Sequence, residues 1–228
     1  MKLLKFIFLF LSLFSLISCV STLPINQQNK NNDSLIEVDS IQESKVSGQI
    51  LSNKTMLNDD KRKVVKEINT KLETYLIEVE NKISNQEISN AEVSKANVGW
   101  HIEHILLTID KIIDSLKKSE PANYKSSFNF TRLLVFTMNK LPRGRVKATK
   151  AVIPEEYNEK SLREHLYSTK LKLEELKTID SNKYFNHPVF GNLKLNKTIK
   201  FLDIHTKHHL KIINDILKIK ISRQNVNF

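Results

Sequence analysis

Apolar residues return every three or four positions in four long stretches of this chain, the spacing that puts them on one face of an α-helix. The first stretch, about residues 60–83, carries Val64, Val65, Ile68, Leu72, Tyr75, Leu76 and Val79. The second, about 97–118, aligns Val98, Ile102, Ile105, Leu106, Ile109, Ile112, Ile113 and Leu116. The third, about 159–179, has Leu162, Leu166, Leu171, Leu173 and Leu176, and the fourth, about 195–219, has Ile199, Leu202, Leu210, Ile213, Ile216 and Leu217. Pro121, Pro142, Pro154 and Pro188 all fall between these stretches, where a fixed φ and a missing N–H cost least. Four amphipathic helices with one shared core predict an all-α domain over residues 59–228, a four-helix bundle with little or no strand.

The connection between the second and third helices is long. Its apolar part, within SFNFTRLLVFTMNK, predicts a short extra helix before a basic Pro/Gly loop, so the bundle has a long crossover rather than a simple up-down order.

Upstream of the helices the pattern changes twice. From Val20 to about Asn58 the chain is polar and rich in Asn, Ser and Gln, too poor in apolar area to offset the entropy of ordering. Before it stands MKLLKFIFLFLSLFSLISC, with Lys2 and Lys5 ahead of an apolar run shorter than a comfortable membrane span. This is the form of a secretory signal, and Leu16-Ile17-Ser18-Cys19 resembles the lipobox of bacterial lipoproteins, in which the cysteine is acylated and the chain is cut before it. The expected organisation is therefore a signal peptide over 1–18, a lipidated Cys19 with a disordered tether over 19–58, and the helical domain. The lone cysteine leaves no intramolecular disulfide.

Composition adds little to the fold and something to the partners. Four glycines and five prolines in 228 residues fit a helical domain with few tight turns. The formal charge is +11, or +9 once Lys2 and Lys5 leave with the signal peptide. Lysines far outnumber arginines and are spread among acidic residues, so no arginine-rich, aromatic-interleaved stripe points to nucleic acid, and none is expected as partner. The expected partners are a membrane, reached through the N-terminal lipid, and a small-molecule substrate, with a homodimer left open. In the crossover, Arg143 and Arg145 flank Gly144 and are candidate anion-binding residues should that loop lie over the mouth of the bundle.

Chemistry concentrates on the histidines. HTKHH places three of the seven within five positions of the fourth helix. His205 and His209 are one turn apart on the stripe that includes Leu202, Ile213 and Ile216, so both imidazoles face the core and need partners. A shared metal ion would satisfy both, given a third ligand. His208 is rotated from His209 by roughly 100° and is expected to point to the helix border. The second helix opens with GWHIEHILLTID, and there periodicity prefers His101, at the border of the apolar stripe, to His104, which is turned further away. His187, before Pro188, reads as a loop brace, and His165 has no assigned role.

A second helix beginning Trp100-His101-Ile102-Glu103-His104, a late loop His187-Pro188-Val189-Phe190-Gly191 and a last helix carrying H-x-x-H-H-L are similar to the DinB/YfiT-like superfamily of metal-dependent four-helix bundles, closest to an uncharacterised branch. The likeness spans roughly residues 60–220. It implies a divalent metal (Zn, Ni or Fe) held by His205, His209 and one histidine of the second helix. Aligned with the W-H-x-x-H of ergothioneine-synthase-like relatives, that ligand is His104, with His101 as the alternative; another register puts it at Thr108, which is not a good ligand. Two functional readings follow. The first is an exported, lipid-anchored, metal-dependent enzyme, a transferase or hydrolase of unknown substrate. The alternative is a non-catalytic envelope binding or scaffold lipoprotein whose histidines are merely packed.

Overall fold

Helices at the predicted places account for most of the domain. The computed structural model describes residue 63, residues 66–144 and residues 148–224, with side chains as far as Lys218. Cys19, the signal peptide over 1–18, the tether over 19–58, the boundary at 59 and Arg145 lie outside the described residues.

Helix α1 covers 66–80, α2 runs Val98–Lys118, α3 runs Phe130–Met138, α4 runs Glu159–Glu174 and α5 runs Leu195–Gln224. Local chemistry sets the boundaries. Asn97, Asn129 and Asn158 each turn a side-chain oxygen to a backbone N–H of the first turn of α2, α3 and α4, satisfying donors that have no partner within the helix. Asn139 ends α3 in the left-handed region at φ 51°, a conformation its short polar side chain tolerates. The predicted short helix of the crossover is thus α3.

One apolar cluster joins α1, α2, α4 and α5. Leu72, Leu76, Ile102, Ile105, Ile109, Ile113, Leu162, Leu166, Leu202 and Ile213 are all essentially sealed from solvent. Helix α2 packs against both α4 and α5, so its buried surface extends well beyond one stripe. Leu171 departs from expectation, being 57% exposed. Nine residues separate it from Leu162, which at roughly 100° per residue places it on the opposite side of α4, while Leu166, Thr169 and Leu173 complete the inward face.

What strand there is among the described residues is one two-stranded antiparallel ladder, in keeping with the expectation of little or no strand. Tyr184–His187 (β1) pairs with Gly191–Lys194 (β2), with Tyr184 opposite Lys194 and His187 opposite Gly191. The turn depends on side chain and backbone together: His187 Nδ1 accepts from the N–H groups of Val189 and Phe190, each at 3.1 Å. Gly191 takes φ +71°, open to glycine without strain. This hairpin delivers the chain directly into α5 and walls the site described next.

A clamp of charge holds α4 against α2. His165 sets Nδ1 2.8 Å from Glu103 and Nε2 3.5 Å from Asp110, and Lys172 lies 2.7 Å from Asp114. Burial opposes protonation of His165, but the hydrogen bonds to Asp110 and Glu103 prevail and carry its pKa up to about 9. It is therefore an imidazolium at neutral pH, a structural role for a residue the sequence left unassigned.

Candidate metal centre

Where α2 and α5 cross, three imidazoles meet. His104, His205 and His209 each offer a ring nitrogen, and these atoms lie within 4.8 Å of one another. The ring centroids form a near-equilateral triangle, 4.6 Å from His104 to His209, 4.6 Å from His205 to His209 and 5.1 Å from His104 to His205. Two ligand bonds of about 2.1 Å span at most about 4.2 Å, so small side-chain rotations close the triangle onto one ion. It is somewhat wider than the ~3–4 Å such a site has when closed.

Both last-helix histidines are where the stripe predicts, 8% and 9% exposed. His101 and His104 are both buried as well, each 4% exposed, and they divide the work. His104 joins the triangle, as the resemblance implies and the local moment does not. The moment fails because the first turns of α2 are covered on two sides, by α5 and by the end of the crossover. Trp100 stacks on the His104 ring at 4.9 Å.

Hydrogen bonds fix which nitrogens are free. His104 Nδ1 lies 2.6 Å from the Val152 carbonyl oxygen, which can only accept, so Nδ1 carries the proton and Nε2 keeps its lone pair. His101 Nδ1 lies 3.0 Å from His209 Nδ1, and one of the two must donate. If His209 donates, its Nε2 is free to ligate, and His101 passes its own Nε2–H to Ser94 Oγ at 2.9 Å. Ser94, His101 and His209 then form a chain that orients a ligand ring, the arrangement by which a hydrogen bond at one imidazole nitrogen sets the other for metal binding. Ser94 and the Val152 carbonyl escaped the sequence reading, since neither carries a motif and both come from loops.

The donor set suits a divalent cation. Burial holds His205 and His209 well below the ordinary histidine pKa, with the neighbouring imidazoles adding to the effect. Burial depresses His104 too, partly offset by its bond to Val152. All three are neutral near pH 7, the form that ligates. His205 Nδ1 is buried without a hydrogen-bond partner, a deficit of about 1–3 kcal/mol that a bound ion would help offset if that nitrogen ligates.

A cavity of about 580 Å³ opens from this triangle. Its walls are mainly apolar: Trp100 and Ile112 from α2, Leu141, Pro142 and Val152 from the crossover, Phe185 and Phe190 from the hairpin, and Phe201 from α5. Thr108, one turn beyond His104, lines it with a buried Oγ1 that has no hydrogen-bond partner. Among the described residues no Asp or Glu lines it, and Lys111 is the one Lys or Arg that does. Two further histidines line it. His187, which accepts two N–H groups at Nδ1, must carry its proton on Nε2, and burial lowers its pKa to about 4. His208 lies off the triangle as predicted, but on the cavity wall, lowered in pKa by burial and by Arg143.

The crossover loop does lie over this mouth. Arg143, however, spends its charge on Asp215 of α5, 2.6 Å away, so it is not a free anion site. Tyr157 anchors the far end of the loop. Its hydroxyl donates to Asn97 Oδ1 at 2.7 Å, and its ring lies so close to α2 that a Cβ on Gly99 would stand 2.6 Å from Cε2. Fold and site together define a helical domain with a buried three-histidine cluster able to hold a metal ion. Comparison with protein-family models, with curated proteins and with solved structures finds no match.

Proposed function

We propose that the chain is an exported, lipid-anchored member of a DinB-like family of four-helix bundles, acting as a metal-dependent enzyme on a small, largely apolar molecule. The observation that carries the metal reading is the convergence of His104, His205 and His209 at the floor of an apolar cavity. A divalent ion held there, Zn, Ni or Fe, supplies Lewis acidity next to the substrate.

The chain's own residues do the rest. Aromatic and aliphatic walls bind the apolar part of the substrate and displace water from it. Thr108 Oγ1 offers a polar contact one turn from His104, and His187 presents a fixed N–H donor. Among the described residues the lining holds no carboxylate, so proton transfer falls to histidine: burial holds His208 below the ordinary histidine pKa, which leaves a neutral imidazole as a base on the cavity wall. Transferase or hydrolase chemistry is compatible with this set. Cys19, acylated after export, places the domain at a membrane of the cell envelope.

The competing reading, a non-catalytic scaffold, draws support from the partners that His104 and His209 already have in Val152 and His101. Elemental analysis of protein purified without a polyhistidine tag separates the two. About one ion per chain, lost in the His205→Ala, His209→Ala double variant, is the expected result. A metal-free wild type as stable as the variant would overturn the metal reading and leave the scaffold.

A further inference from the structure

The crossover carries a surface that the histidine site does not use. Phe128, Phe130, Leu133, Leu134 and Met138 are 82%, 68%, 52%, 48% and 61% exposed. The four that belong to α3 fall within an arc of about 140°, one helix face. Burying such a face would be the ordinary outcome, yet α3 is held with it outward. Asn129 Nδ2 donates to the Val189 carbonyl at 2.8 Å, Arg132 donates to the Phe190 carbonyl at 2.8 Å and also to Ser127, and Val135 fills the core from the opposite face.

Charge says what covers it. From Pro121 to Pro154 the sequence has seven basic residues and no Asp or Glu. Lys125, Lys140 and Lys150 are exposed, and none pairs with a carboxylate among the described residues. An outward apolar helix face beside uncompensated lysines is the chemistry that seats a helix in a lipid headgroup layer. A second copy is a poorer occupant, since it would bring two basic segments together.

We propose that α3 is a docking face for an anionic lipid surface, with Phe128, Phe130, Leu133, Leu134 and Met138 entering the headgroup layer and the flanking lysines meeting lipid phosphates. The proposal rests on the crossover alone and stands or falls separately from acylation of Cys19.

The test uses the full chain with Cys19→Ser, which removes the acylation site and leaves one introduced cysteine to label. A nitrobenzoxadiazole dye on Leu133→Cys reports the α3 face, and the same dye on Tyr167→Cys, exposed on α4, is the control. With vesicles of phosphatidylglycerol and phosphatidylcholine, a blue shift is expected at 133 and not at 167. It should vanish with phosphatidylcholine alone or at molar salt, and Lys125→Glu with Lys140→Glu should weaken vesicle binding by about tenfold or more. Three outcomes overturn the proposal: co-sedimentation without a shift at 133, which leaves only the N-terminal segment holding the chain; an equal shift on neutral vesicles; and a shift without vesicles that grows with protein concentration, which makes the face a self-association surface.

Discussion

Replacing His101 by alanine should weaken metal binding without abolishing it. The residue is no member of the triangle, but its Nδ1 stands 3.0 Å from His209 Nδ1. In the variant, His209 Nδ1–H is left as a donor in a site 9% exposed. An unmade buried hydrogen bond costs about 1–3 kcal/mol, a cost that falls on the fold in the free and the ion-bound protein alike, so affinity falls through the orientation the bond gives His209. Loss of an orienting partner to a metal-bound histidine costs about 10- to 100-fold by general experience, so about tenfold to a hundredfold is expected. Water entering the space left by the ring would bring the loss toward the lower figure. Zn(II) competition against a chromogenic chelator, on untagged protein near neutral pH, measures it. Ser94→Ala, one bond further out, should cost only a few-fold. The reasoning fails if His101→Ala binds Zn(II) as tightly as wild type while His205→Ala does not bind. Complete loss in His101→Ala would instead make His101 a ligand in its own right.

Other consequences can be checked singly. Gly99→Ala forces a methyl to within 2.6 Å of the Tyr157 ring and 3.0 Å of Gln86 Cβ, so urea unfolding should show a loss of about 1–3 kcal/mol despite the higher helix propensity of alanine; an unchanged midpoint would mean that Tyr157 moves freely. His165 has a folded pKa raised to about 9 from an ordinary 6.5, so its stabilisation is complete below about pH 6.5 and disappears as pH rises through 9. Discounted for partial solvent exposure, that is about 1–2 kcal/mol, and His165→Gln should lose it at pH 6 and match wild type above pH 10, with parallel pH profiles counting against the clamp. Cys19→Ser should release the protein from the membrane fraction or block its processing, and unchanged processing and attachment would rule out acylation at that residue.

Much of the architecture is written in the spacing of apolar residues. Helices α2, α4 and α5 begin where Asn97, Glu159 and Leu195 lead the periodic stretches, because a half-buried helix must repeat its apolar positions to bury them. The hairpin left no such mark. Its strands have four residues each, YFNH and GNLK, too short for an alternating pattern, and only Leu193 is fully buried. For the site, the pair in α5 was legible because both histidines interrupt an otherwise apolar stripe. The choice in α2 was not, since it turns on the Val152 carbonyl, 48 positions from His104, which no local pattern encodes. Arg143 misled for a related reason: a basic loop looks free until Asp215, 72 positions on, is seen to pair with it.

That distance along the chain has a thermodynamic side. His101 and His209 are 108 positions apart, and the triangle draws on two helices separated in sequence by the crossover, α4 and the hairpin. No fragment lacking α5 holds the site, because two of its three histidines stand on that helix. An ion that binds only the completed fold adds RT ln(1 + [L]/Kd) to the stability of the domain as a whole, about 2.7 kcal/mol at a concentration one hundredfold above Kd. The triangle would thus couple metal supply to lifetime: chains that met no ion would open more often along their whole length and present more of themselves to proteases.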